Sequence, residues 1–188
     1  MENVTGFSQP SAQVLRPACL ADVVAAVQQA RRDGRALYPV STGLNWGYGS
    51  ASPVSANALL LDLSGMNRIL NAEQISPANP VAVIEPGVTQ GQLHEFLQQR
   101  CPTLSFNVTG SARATSIVGN ALDRGVGYLG PRREDLFGLQ VVTGTGQVLE
   151  TGFRRLGEAS PLAHSHPYGL GPMLDGLFFQ GNFGIVTS

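Results

Sequence analysis

At 188 residues with 43% apolar side chains, the chain can bury a core without disulfide or metal staples. A net charge of −1, with only 13% charged residues, excludes the basic surface that nucleic acid or an anionic membrane demands. Cys19 and Cys101 are too few for a disulfide scaffold, and no apolar run approaches the length of a membrane span. The polar start MENVTGFSQPSAQ has no apolar stretch like that of a signal peptide, which predicts a soluble, cytoplasmic protein.

Residues 1–16 read as an irregular lead-in before Pro17. From 20 to 33, Leu20, Val23, Val24, Val27 and Ala30 recur at helical spacing, and Gly34 is placed to end that helix. A short strand is expected over 36–40, followed by the stretch STGLNWGYGS at 41–50. Its glycines, Gly43, Gly47 and Gly49, allow positive φ, so successive N–H groups can turn inward as an anion nest; an ordinary glycine-rich turn has the same composition. The next element, ALLLDL at 58–63, reads as a buried strand. A dinucleotide fingerprint or a P-loop runs from strand to helix, so this strand-to-strand loop fits neither, and no Gly-Lys-Ser/Thr follows it.

A third strand is expected over 81–84 (VAVI), closed by Glu85-Pro86-Gly87. Thr89 and Gln92 have capping-box spacing for a helix over 90–100 that Pro102 stops. The first hundred residues thus make an α/β lobe. Residues 103–109 are extended but ambiguous, and 117–122 (IVGNAL) form a helix capped by Thr115 or Ser116, whose N-terminus offers free N–H groups to an anion. Gly119 inside that helix admits close approach of a ligand or of another backbone. Segments 136–143 and 147–151, joined by Gly144-Thr145-Gly146, form a hairpin. Residues 153–168 read as a long surface loop, 174–180 as a short helix, 181–184 as a turn and 185–187 as a strand. His164 and His166 have the spacing of a metal pair but no third ligand nearby, so no metal is expected.

These segments together resemble the FAD-binding, PCMH-type domain of the vanillyl-alcohol oxidase flavoprotein family. The ordered signatures are STGLNWGYGS, the EPGVT turn, SIVGNALDRGVGY, the hairpin VVTGTGQVLETG and HPYGLGPMLDGLFFQGNFGIVT. The branch acting on 4-hydroxybenzylic compounds, with vanillyl-alcohol oxidase and 4-cresol dehydrogenase, is the most similar. The resemblance implies an α+β, two-lobed domain over 17–188. A small α/β lobe, about 17–102, packs on a larger lobe, about 103–188, with a mostly antiparallel sheet and helices. It implies FAD as cofactor and hydride transfer from an alcohol or benzylic carbon to flavin N5. The pyrophosphate would lie on main-chain N–H groups of Thr42, Gly43, Leu44, Asn45, Trp46 and Gly47. Glu85, Pro86 and Gly87 would lie near the adenosine half. Ser116, Ile117, Gly119 and Asn120 would line the diphosphate and flavin, Gly125 and Gly127 would permit close passage of the chain, and Ile185 and Val186 would contact the ring systems. Tyr48 matches a tyrosine that helps bind a phenolate oxygen.

Three departures qualify the resemblance. Leu44 stands where many members carry the histidine that bonds FAD covalently, so noncovalent FAD is expected. Ser111 stands where the most similar branch has an acidic residue near the reactive flavin nitrogen, and a serine is no carboxylate base. The substrate, or cap, domain is expected to be absent beyond Ser188, leaving the flavin face to a second copy or a separate chain. A different function follows if the cap is not supplied: an FAD- or nucleotide-binding module, stand-alone or truncated, without turnover of its own.

Overall fold

Strand β3 (Leu59–Asp62) is buried at every position, as a central strand in a parallel sheet must be. It is flanked by β1 (Gln13–Leu15) and β2 (Leu37–Val40), both parallel to it, in the order β1-β3-β2. The computed structural model describes residues 13–44, 51–53, 55–157 and 160–188. Helix α1 (Leu20–Arg32) connects β1 to β2 and turns Val23, Val27 and Ala30 inward. It ends as a Schellman motif: Arg35 N–H donates to Ala30 O at 2.9 Å and Gly34, at φ +60°, donates to Arg31 O at 3.4 Å. The lead-in expected to be irregular therefore contributes a strand, β1, whose Gln13, Val14 and Leu15 pair with 59–61.

The strand expected over 81–84 does not form a ladder; Ile84 makes only an isolated bridge to Ile69. Backbone pairing to 68–70 is limited to Leu70 N–H donating to Val83 O at 2.7 Å and Glu85 N–H to Arg68 O at 3.1 Å, and Asn71 serves the rest. Its side chain accepts from Val83 N–H at 2.7 Å and donates to Val81 O at 2.8 Å, taking the place of a neighbouring backbone. Helix α2 (Gln90–Arg100) has the expected bounds, with Thr89 Oγ1 accepting from Gln92 N–H at 3.1 Å. The reciprocal half of the capping box is missing, because the Gln92 amide instead donates to Asn67 O at 2.7 Å.

In the second half, helix α3 (Ile117–Leu122) precedes a two-stranded hairpin of β4 (Val126–Gly127) and β5 (Gly130–Pro131). An antiparallel sheet of order β7-β6-β8 follows, with β6 (Gln140–Thr143) between β7 (Val148–Glu150) and β8 (Gly184–Val186). Val141 and Val142 of β6 point to opposite faces, and both are fully buried. Val141 joins a cluster with Ile84, Val88, Leu93, Leu97, Ile117 and Val118, while Val142 joins one with Val23, Val27, Leu61 and Met66. One central strand thus serves two cores and ties the antiparallel sheet to the parallel one. Parallel and antiparallel sheets kept apart in one chain make the fold α+β.

The expected helix over 174–180 is reduced to a single 3₁₀ turn, Asp175–Leu177. The expected surface loop at 153–168 is anchored at its start by another, Gly152–Leu156. There Arg154 is buried and donates to Gly138 O at 3.2 Å and Ser188 Oγ at 2.8 Å. Among the described residues no helix is long and apolar enough to cross a membrane.

Candidate functional site

A cleft of about 530 Å³ opens between the end of β2, helix α3 and the start of β8. Its organising residue is Ser116, the N-cap of α3, which is 2% exposed. The Ser116 hydroxyl donates to Pro86 O at 2.6 Å and accepts from Gly119 N–H at 2.8 Å, while its N–H donates to Thr42 Oγ1 at 3.3 Å. One serine therefore fixes three segments, 41–44, 85–87 and the first turn of α3, around a common wall.

The donors of that wall are unevenly used. Ile117 N–H donates to Val88 O at 3.1 Å, so with Ser116 and Gly119 already bonded, most of the α3 N-terminus is satisfied within the protein. This corrects the expectation of free N–H groups there. By contrast, the N–H groups of Ser41, Thr42, Gly43 and Leu44 donate to no described residue, and all four residues line the cleft. Gly43 sits at φ +70°, the left-handed turn expected of a nest. Asn120 also lines the cleft, and its Oδ1 is buried with no partner among the described residues. A Cβ on Gly125 would lie 2.3 Å from that oxygen, so only glycine lets the Asn120 amide sit there. Tyr38 contributes a phenol held above its ordinary pKa, first by burial and then by Asp123. At the far end, Ser111 Oγ stands in a hydroxyl chain, 2.5 Å from Thr109 Oγ1 and 2.7 Å from Thr115 Oγ1.

The fold brings Thr42, Gly43, Leu44, Pro86, Ser111, Ser116, Gly119, Asn120, Gly125, Ile185 and Val186 together on this cleft. Asn45, Trp46, Gly47 and Tyr48 lie outside the described residues. Four other expected site residues do not line it. Glu85 is buried and its carboxylate is committed to Arg68, accepting from Nη2 at 2.7 Å, from Nε at 3.1 Å and from the main-chain N–H at 2.8 Å. That pairing raises the Arg68 pKa. A Cβ on Gly87 would lie 2.4 Å from Ser64 O and 2.7 Å from Met66 O, so its constraint is the 64–66 turn. A Cβ on Gly127 would strike the Asn107 amide at 2.2 Å. Ile117 faces the core cluster. Glu85→Gln is expected to cost about 1.5 kcal/mol of stability by weakening hydrogen bonds to a charged partner. Chemical denaturation checks this, and the flavin affinity of the folded protein should hardly change.

Two positioning residues were not legible beforehand. Gln90, buried in the first turn of α2, donates to Ser111 O and Ala112 O at 3.2 and 2.9 Å and accepts from Thr109 N–H at 3.2 Å, stapling the 109–112 loop to the cleft. Asn107 accepts from Leu129 N–H at 2.9 Å and donates to Asp135 Oδ2 at 2.9 Å, holding the β4–β5 hairpin. A polar residue in a helical first turn was the only available signal for Gln90; nothing marked Asn107.

A cleft walled by turn N–H groups and small residues suits an anionic group, and the buried Asn120 Oδ1 suits a hydrogen-bond donor beside it. In agreement, residues 11–152 match the model of the FAD binding domain, and the chain belongs to that family. It is 46% identical over 177 residues to 1'-carboxy-chondrochloren decarboxylase of Chondromyces crocatus, covering 93% of this chain and 32% of that protein. It is 38% identical over 154 residues to the 4-cresol dehydrogenase [hydroxylating] flavoprotein subunit of Pseudomonas putida, covering 80% of this chain and 29% of that one. The p-cresol methylhydroxylase crystal structure with substrate bound superposes with a TM-score of 0.82 at 35% identity, over 93% of this chain and 33% of that one. The chain thus spans about a third of the length of these relatives. It is an FAD-binding domain of the kind carried by FAD-linked oxidoreductases.

Proposed function

We propose that this chain binds FAD noncovalently and forms the cofactor half of an oxidoreductase acting on alcohols or benzylic carbons, 4-hydroxybenzylic compounds included. The observation that carries the reading is the row of N–H groups at 41–44 with no acceptor among the described residues, set in the cleft beside Ser116 and Asn120. The FAD pyrophosphate would be held there without lysine or arginine, and Asn120 Oδ1 would accept from the cofactor. When bound, FAD supplies the hydride acceptor; the protein binds, orients and shields it. Leu44 has no nucleophilic atom, which favours noncovalent attachment. The hydroxyls of Thr109, Ser111 and Thr115 can pass a proton along the cleft, but Ser111 supplies no carboxylate base.

The substrate class follows the names of the relatives, 4-cresol dehydrogenase above all, together with Tyr48 as a candidate for the phenolic oxygen. In this reading residues 13–188 form one domain, its start moved from 17 to take in β1, with two lobes dividing at about 102. The β4–β5 hairpin leaves Tyr128 78% and Leu129 82% exposed, an apolar surface suited to further polypeptide, a second copy or a separate chain.

An absorption spectrum of the purified protein, taken before and after acid precipitation, tests the reading. A yellow protein that releases its flavin to the supernatant is the expected result. Flavin retained in the pellet would contradict the role given to Leu44, and a protein that takes up no added FAD would sink the whole reading. FAD uptake without bleaching by 4-hydroxybenzyl alcohol would instead favour a binding module with no turnover of its own.

A further inference from the structure

Helix α3 has a second face. Ile117 borders another cavity, of about 400 Å³, walled by Ile84, Leu93, Leu97, Phe106, Leu136 and Leu139. This volume lies in the range of small-molecule sites, which pair mostly apolar walls with a few placed polar groups. Here a placed group is Arg132. It lines the cavity, is 1% exposed, and its Nε and Nη1 are buried with no hydrogen-bond partner among the described residues.

Neighbouring charges do not satisfy it. Asp135 Oδ2 is 3.5 Å from Nε, beyond a good hydrogen bond, and that oxygen already accepts from Asn107 at 2.9 Å. Burial pushes the Arg132 guanidinium below its ordinary pKa, and Asp135 only partly opposes this. The main chain keeps the arginine in place, because Arg132 N–H donates to Gly125 O at 2.9 Å. The second arginine on the cavity, Arg154, is occupied by Gly138 O and Ser188 Oγ, with Glu150 3.5 Å from its Nε. A buried cation with unused donors is costly, and an anion brought to it recovers much of that cost.

We propose that this second cavity binds an apolar monocarboxylate, whose carboxylate is the acceptor that Arg132 lacks and whose hydrocarbon lies along Ile84, Leu97 and Phe106. The Asp135 carboxylate on the same wall disfavours a dianion such as a phosphate monoester. The site is separate from the cleft given to FAD and does not depend on that reading.

Isothermal titration of the protein saturated with FAD, using octanoate and the uncharged octanol, tests it; a parallel titration without added FAD keeps the result independent of flavin binding. Octanoate is expected to bind about tenfold or more tighter than octanol, the discrimination of a charge-assisted hydrogen bond. Arg132→Gln should abolish that preference. Ala82→Phe, which fills the cavity and leaves Arg132 intact, should abolish binding of both and keeps the test sound if Arg132→Gln fails to fold. No binding of octanoate, equal binding of octanol, an undiminished preference in Arg132→Gln, or displacement of flavin by octanoate would each overturn the proposal.

Discussion

Gly87→Ala is expected to lower the unfolding free energy by about 3 kcal/mol, the upper end of overpacking costs in a rigid site. The new Cβ meets main-chain atoms of the 64–66 turn: Ser64 O at 2.4 Å, Met66 O at 2.7 Å and Ser64 C at 2.8 Å. No rotamer change can relieve a backbone clash. Gly87 N–H also donates to Met66 O at 2.7 Å, so moving apart breaks a hydrogen bond at the same time. Beside it, Glu85 grips Arg68, and Glu85 N–H donates to Arg68 O at 3.1 Å. The 85–87 turn therefore works as a clamp on 64–68, with only Pro86 reaching the cleft. A fall in the urea midpoint, with nearly unchanged FAD affinity in the folded fraction, is the expected outcome. Intact stability with lost FAD would restore Gly87 to the cofactor site.

The Glu85-Pro86-Gly87 turn also shows where sequence reading stops. A buried acid followed by Pro-Gly looks the same whether it meets a ligand or clamps a neighbouring turn, since both demand a close approach without Cβ. Helix α2 was legible to its ends because its signals are local: Thr89 caps, Gln92 is three residues on, and Pro102 forbids continuation. The hairpin of β6 and β7 was legible for the same reason, with Gly146 at φ +82° in its turn. Strand β1 was not, because three residues of a polar lead-in become a strand only when β3 pairs with them. The stretch 81–84 has the composition of a strand, but a ladder depends on its partner, and here 68–70 gives a single bridge that the Asn71 side chain extends. In the cleft, Thr42, Gly43, Ser116 and Asn120 were expected from ordered motifs, and the fold places them on one wall. Gln90 and Asn107 act through long-range contacts, 19 to 22 residues for Gln90 and 22 to 28 for Asn107, that no local pattern encodes.

Ser116→Ala is expected to destabilise the protein by about 3 kcal/mol, combining a lost helix N-cap with a buried carbonyl left unsatisfied. The cap is the Gly119 N–H to Ser116 Oγ bond, and the carbonyl is Pro86 O. Unlike Gly87, this residue should also control the cofactor. Its hydroxyl sets the distance between α3 and the 85–87 turn; alanine keeps the N–H that reaches Thr42, but a shift of α3 carries that N–H, and with it the bearing of the 41–44 amides on Asn120, out of place. FAD affinity is expected to fall about tenfold, the effect of about 1.4 kcal/mol of lost preorganisation. Thr89→Ala provides the matching control, since Thr89 caps α2 in the same way but does not line the cleft. It should lose about 1 kcal/mol of stability and almost no FAD affinity. Flavin titration of both variants at a temperature where each is folded separates the two roles. Equal losses of affinity would mean that Ser116 acts only through stability and that the cleft is not organised around it.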